Sequence, residues 1–135
     1  MKIKAQIFLY FVIGLVICSC GKWIIPDAIK NNKPLLIEVM PHGDAWTNPK
    51  DFYKAEVVKK GEEYEFVVTR SNGVTIYNLP PNKLNLLSQF EGNLKDLTAS
   101  LKYIEITISS ENQKKSFQVN TDIVSDFIGG LKKKY

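Results

Sequence analysis

Cysteine is nearly absent from this 135-residue chain: the only two, Cys18 and Cys20, lie at the end of its first apolar run. Disulfide frameworks, thiolate metal sites and cysteine nucleophiles all need a thiol within the folded part of a chain. If the chain is cut between these two residues and the second is modified, the mature domain has no thiol. All three kinds of site are then excluded from it.

The sequence also lacks catalytic motifs and a strong charge of one sign. It has no Walker loop, dinucleotide glycine pattern, zinc-binding helix or nucleophile elbow, and we expect no metal or cofactor. Its 18 Lys and Arg residues against 14 acidic residues give a net charge of +4. Removal of Lys2 and Lys4 with a leader would leave 16 against 14. So small an excess predicts no nucleic-acid partner.

The first 20 residues have the three zones of a secretory signal. Lys2 and Lys4 precede an apolar run at 7–17, and small residues follow at 18–20. A run of roughly 10 to 14 apolar residues is typical of a signal peptide, whereas a membrane-spanning helix needs about 20. We therefore expect the leader to be cleaved.

The stretch LVICSC at the end of this leader resembles the lipobox of bacterial lipoproteins. In that family a peptidase cuts before a cysteine that already carries a thioether-linked diacylglycerol. With Cys20 as the lipidated residue, position −1 is the small Ser19 and position −3 is the aliphatic Ile17. Cys18 would instead place the bulky Ile17 at −1. The resemblance implies that Cys20 is the lipidation site.

The resemblance also implies a cellular location. Residues 1–19 would be a cleaved signal peptide, and the lipid on Cys20 would hold the protein to the membrane of a bacterial cell envelope. The residues that follow Cys20, Gly21 and Lys22, do not include Asp, which by the same resemblance implies sorting to an outer membrane with the protein facing the periplasm.

The mature chain has the length of a single domain preceded by a short linker. Its 116 residues are enough for one hydrophobic core. Residues 20–34 are rich in Lys, Asn and Pro without a clear period, and we interpret them as a lipidated tether to a single domain at 35–135. Two interpretations of Trp23, Ile24 and Ile25 are open: these side chains rest at the membrane interface, or they pack on the fold.

Hydrophobic patterning predicts an α+β domain. Alternating apolar residues mark strands, as in Ile104, Ile106 and Ile108, and apolar residues at helical spacing mark two helices. Ile123, Phe127 and Leu131 define the second helix, with Lys132 to Lys134 expected at its end. The predicted order is β-β-β-β-α-β-β-α: a two-layer sandwich of a mostly antiparallel sheet of about six strands with two helices on one face.

Two segments of the mature chain resemble each other. Residues 64–94 align with residues 104–131 as strand, turn, strand and helix, with a three-residue deletion before the helix. Either the alignment reflects an internal repeat, or two hairpin-helix units are similar because both follow the same patterning. Both explanations predict the same architecture.

The loop after the first strand carries the candidate functional residues. His42, the only histidine, lies two residues from Asp44, a combination that can serve as a general base or as metal ligands. Ordinary turn hydrogen bonding explains the same pair. Trp46 is an aromatic residue in a polar loop, where binding residues are common. We expect a protein-binding module (an inhibitor, an immunity factor or an assembly subunit) whose partner is an envelope or secreted protein, and not an enzyme. The alternative is a small envelope enzyme using His42 and Asp44.

Overall fold

The computed structural model describes residues 23–42, 52–96 and 102–135. These residues form six strands and three α-helices, and the α+β class predicted from the sequence is confirmed. The elements in chain order are α1 (Ile24–Lys30), β1 (Leu35–His42), β2 (Tyr53–Lys60), β3 (Glu63–Arg70), β4 (Gly73–Leu79), α2 (Pro81–Phe90) with a 3-10 turn (Glu91–Asn93), β5 (Tyr103–Ser110), β6 (Gln113–Val119) and α3 (Ile123–Gly129).

The strands form one antiparallel sheet in the order β4-β3-β2-β1-β5-β6. Because side chains alternate across a strand, one face collects the apolar positions of every strand. In the middle of the sheet Ile37 is opposite Ala55 on one side and Ile108 on the other, and all three are fully buried. The opposite face carries Glu38, Lys54 and Thr107. The core therefore lies on one side of the sheet, under the helices.

The helices supply the second layer of the sandwich. Leu87 and Phe90 of α2 and Val124 and Ile128 of α3 belong to the same buried cluster as the strand residues. Phe127 of α3 is half-buried and meets Phe66 of β3 edge-on, with 5.6 Å between ring centroids.

The first helix corrects the predicted tether. Residues 24–30 of the segment predicted as linker form α1, and Ile24, Ile25 and Ala28 are buried. Pro26 lies in the first turn, where its missing N–H would have had no intrahelical partner, so the proline is compatible with the helix. Residues of the predicted tether thus belong to the buried core, and the described residues form three α-helices where the sequence predicted two.

The end of the chain also differs from the prediction. Helix α3 ends at Gly129, and Lys132 to Lys134 do not extend it but run along the outer edge of β4. The Asn78 N–H donates to the Lys132 carbonyl at 2.9 Å, and the Lys134 N–H donates to the Ile76 carbonyl at 2.8 Å. The Lys134 ammonium pairs with the buried Glu65 carboxylate. We call residues 132–135 the tail; its pairing covers the β4 edge.

The two segments aligned in the sequence have matching pairing registers. In the β3–β4 hairpin Tyr64 is opposite Leu79, and 40 residues later Ile104 is opposite Val119 in the β5–β6 hairpin. Both hairpins turn through two residues, 71–72 and 111–112. The hairpins occupy opposite edges of the sheet, and each is followed by a helix that packs on the same core.

Candidate functional site

The predicted loop, residues 43–51, carries two of the predicted site residues and connects the two central strands along the chain. It follows His42 at the end of β1 and precedes Phe52 and β2. Asp44 and Trp46 lie in 43–51 and the predicted lipid site Cys20 lies in 1–22, and both ranges are outside the described residues. Of the predicted site residues, the structure therefore places only His42.

His42 is the last residue of β1, which corrects the sequence-based placement of His42 in the loop. Within the described residues, β1 beyond Val39 pairs only with β5, so Pro41 stands where the strand has a single described neighbour. A proline is tolerated at such an edge-like position because one side of the strand needs no donor there. The strand consequently continues through Pro41 to His42, which lies opposite Tyr103.

The imidazole of His42 has two neighbours on β5. It stacks on the Tyr103 ring with 4.8 Å between centroids and an interplanar angle of 17°. Its Nε2 lies 3.9 Å from Glu105 Oε2, and both side chains are about one-third exposed. This separation is too long for a hydrogen bond, and within the described part of the chain the buried Nε2 atom has no hydrogen-bond partner.

The surroundings of His42 bear on two kinds of chemistry, proton transfer and metal binding. A histidine near a carboxylate can transfer a proton once a substrate or water bridges the gap. Across residues 23–42, 52–96 and 102–135, no group of three or more His, Cys, Asp or Glu side chains is arranged to hold a metal ion. Sequence reasoning missed Glu105 as a neighbour, because only the pairing of β1 with the distant β5 brings the two residues together.

An exposed apolar cluster surrounds the base of the loop. Met40 is 40% exposed and Phe52 is 37% exposed. Since Val39 and Tyr53 are opposite each other, their neighbours Met40 and Phe52 flank the mouth of the loop. With the stacked rings of His42 and Tyr103 they form what we call the stem patch: Met40, His42, Phe52 and Tyr103. Methionine and aromatic side chains at a surface are typical of protein contact sites.

Tyr53, at the start of β2, ties the loop stem to α3. Its hydroxyl donates to the Asp122 carboxylate, with distances of 2.9 and 2.8 Å to the two oxygens. Asp122 also accepts from the Ser125 N–H at 2.9 Å and so caps the helix. Burial, together with the negative charge of Asp122, raises the pKa of Tyr53 well above its usual value. The phenol is therefore neutral and acts as a structural bridge.

A surface cleft in the described part of the chain lies away from the stem patch. It has a volume of about 740 Å³ and lies where β3 begins and β4 meets α2, lined among others by Tyr64, Leu79, Lys83 and Leu131. Tyr64 pairs with Lys59, near the end of β2 that is remote from the loop. None of the stem-patch residues lines this cleft.

None of the three helices in the described part of the chain has the length and hydropathy needed to span a membrane. No protein-family model, no curated protein and no solved structure matches this chain.

Proposed function

We propose that this protein is a lipid-anchored component of a bacterial cell envelope that binds another protein through the β1–β2 loop and the stem patch. The support for the anchor is the charged, apolar and small-residue order of residues 1–20 and the lipobox-like position of Cys20. By the same resemblance the protein faces the periplasm from the outer membrane. The partner is an envelope or secreted protein, and the protein acts as its inhibitor, immunity factor or assembly subunit.

The observation that carries the binding proposal is the stem patch. Loops positioned by a rigid scaffold commonly carry binding residues, and here the loop joins the two central strands of the sheet. The exposed Met40 and Phe52 flank the loop at its mouth. Trp46, within the loop, adds the kind of aromatic side chain that dominates binding energies when a partner buries it.

A second candidate function rests on the proximity of His42 to Glu105. An envelope enzyme would use His42 with Asp44, or with Glu105, as a proton-transfer pair. Nε2 of His42 and Oε2 of Glu105 are 3.9 Å apart. We rank this function below protein binding because, among the described residues, the neighbours of His42 are a ring stack and one carboxylate.

The first test measures partner affinity. The partner that co-purifies stoichiometrically with the lipidated protein is titrated against wild type and Trp46→Ala by calorimetry. Loss of a buried aromatic anchor costs 2 kcal/mol or more, so we expect affinity to fall at least about thirtyfold. Leu86→Ala is the matched control, because Leu86 is 51% exposed on α2, on the other face of the sheet from the stem patch, and its loss should leave affinity unchanged.

His42→Ala separates the two functions. If the protein binds a partner, this variant should lose much less affinity than Trp46→Ala, because a half-buried ring contributes less contact area than an indole. If His42→Ala abolishes a turnover while partner affinity stays intact, the enzyme function replaces the binding function. Circular dichroism of each variant checks that the fold is retained.

A further inference from the structure

The domain begins immediately after the proposed lipid site. Ile24 and Ile25 are 1% and 0% exposed, so they belong to the core, whereas Trp23 remains 49% exposed. The Trp23 ring lies on Gly92: a Cβ at residue 92 would be only 2.4 Å from its Cη2 atom. The sequence left open whether these three side chains rest at the membrane interface or pack on the fold. The two isoleucines pack on the fold, and the indole lies at the surface.

A buried carboxylate fixes this end of the domain. Glu91, 3% exposed, accepts from the Ile24 N–H at 3.0 Å and from the Ile25 N–H at 2.9 Å. These N–H groups are two of the donors that a helix leaves unpaired at its start. The Lys115 ammonium of β6 lies 3.4 Å from the same carboxylate. The amino end of α1 is therefore held beside the edge strand β6.

The chain between the lipid and the fold is too short to act as a spacer. Only two residues separate Cys20 from Trp23. An extended chain advances at most about 3.3–3.6 Å per residue, so Trp23 lies within about 11 Å of the lipidated residue. A domain tethered so closely cannot turn an arbitrary side to the membrane.

The surface around Trp23 has the chemistry of a membrane-facing surface. It consists of Trp23, Gly92, Asn93 and Lys95, which we call the Trp23 flank. Asn93 and Lys95 are exposed. Asp96 also lies on this side, where its carboxylate accepts from the Gln118 N–H at 2.9 Å. Tryptophan concentrates at membrane–water interfaces, and lysines are attracted to anionic headgroups.

We propose that the domain lies on the membrane with the Trp23 flank against the lipid headgroups and the Trp23 indole in the interface. This inference rests on lipidation of Cys20 as set out under the proposed function. It adds an orientation: β6 is the membrane-proximal edge of the sheet. Lys115 of β6 is in register with Ile37, so His42, from which the chain continues toward Trp46, is offset from the contact with Glu91 by five residues along β1 and by two strands.

Lipid quenching of tryptophan fluorescence tests the orientation. The chain has two tryptophans, so Trp46→Phe leaves Trp23 as the only reporter and Trp23→Phe leaves Trp46 as a matched control. Each full-length lipidated variant is reconstituted into phosphatidylethanolamine and phosphatidylglycerol vesicles, with and without bromine atoms high on the acyl chains. We expect brominated lipid to remove the larger part of Trp23 emission and to leave Trp46 emission nearly unchanged.

Mass spectrometry of the same samples distinguishes this inference from the proposed function. If Cys20 carries lipid and Trp23 is not quenched, or is quenched no more than Trp46, the orientation is wrong and the anchor stands. If Cys20 is unmodified, the lipid anchor and the orientation are both overturned. Stronger quenching of Trp23 than of Trp46 in lipidated protein supports both.

Discussion

At the scale of single residues, two buried or half-buried carboxylates each join distant parts of the chain. Glu91 binds the start of α1 from 66 and 67 positions away. Asp122 caps α3 and accepts from Tyr53, 69 positions away. Hydrogen bonds to charged groups are worth more than neutral ones, and a buried donor left unpaired is costly. These two carboxylates are therefore sensitive points of the fold.

Glu91→Gln should destabilise the domain by about 1–3 kcal/mol. The amide keeps the shape of the side chain, but it has one acceptor oxygen for the Ile24 and Ile25 N–H groups, and it leaves Lys115 without the carboxylate. Urea unfolding of residues 23–135 measures the change, and Glu62→Gln at an exposed position is the matched control. Equal midpoints for the two variants would contradict the role assigned to Glu91.

The raised pKa of Tyr53 predicts that the folded protein loses stability at alkaline pH. Its pKa is raised in the folded protein, so above its unfolded value of 10.0 the unfolded chain releases a proton that the folded protein keeps. The contribution is fully present below pH 10 and declines above it, by about 1.4 kcal/mol per pH unit.

Chemical unfolding of wild type and Tyr53→Phe between pH 8 and about pH 11 measures this difference. The variant should be less stable near neutral pH by about 1.5–3 kcal/mol, because it loses the hydrogen bond to Asp122. Its stability should then decline less steeply above pH 10. Parallel pH profiles for the two proteins would show that the Tyr53 proton is not linked to folding.

At the same scale, sequence reasoning reached some site residues and not others. It singled out His42 because the chain has no other histidine, and it paired His42 with Asp44 because the two are close in sequence. The neighbours that the structure shows, Tyr103 and Glu105, depend on the pairing of β1 with β5. No local pattern encodes that pairing.

At the scale of elements, strands were easier to predict than the first helix. Alternation over eight residues, as in β3 or β5, is a clear signal because every second side chain enters the core. Helix α1 has only seven residues, two of them a buried pair followed by a proline. Asp27 in its first turn and Lys30 in its last were the available signals. Seven residues are too few for a clear helical period.

The two edges of the sheet differ because the tail pairs with β4. On β4 the tail provides backbone partners at Asn78 and Ile76. On β6 the described residues provide the Asp96 side chain at Gln118. Uncovered strand edges are templates for pairing with other chains, so covering one opposes self-association.

Removal of residues 132–135 should therefore cause association. We expect the truncated protein to show a concentration-dependent mass by sedimentation and a lower melting temperature, because β4 loses its partner and Glu65 loses Lys134. Lys132→Ala is the control, since it keeps the carbonyl that accepts from Asn78. A truncated protein with the mass and melting temperature of the full chain would show that the tail does not protect the edge.

At the scale of the whole molecule, the class of fold followed from patterning, because alternating strands and two amphipathic segments require a sheet covered by helices. The strand order did not follow. The matching registers of the β3–β4 and β5–β6 hairpins place similar units at opposite edges of one sheet. The sequence similarity between 64–94 and 104–131 thus has a geometric counterpart.

Lipidation is a prediction about residues 1–20 and the membrane attachment of the whole molecule. Cys20→Ala should abolish lipid attachment, whereas Cys18→Ala should leave it intact, because Ser19 still precedes the modified residue. Each buried methylene of an acyl chain contributes about 0.8 kcal/mol to membrane binding, so loss of the lipid should release the protein from membranes. Membrane fractionation and mass spectrometry of both variants provide the measurement. A mature protein with an unmodified Cys20 would contradict it.

The contact between Glu91 and α1 also determines when α1 can form. A seven-residue helix is not stable alone, and the carboxylate that completes α1 lies 67 positions after Ile24. If the chain is exported from its amino end, as the proposed lipid anchor implies, α1 cannot be completed until Glu91 has also crossed the membrane. A peptidase that acted beside Cys20 before then would meet a chain in which α1 has not yet formed.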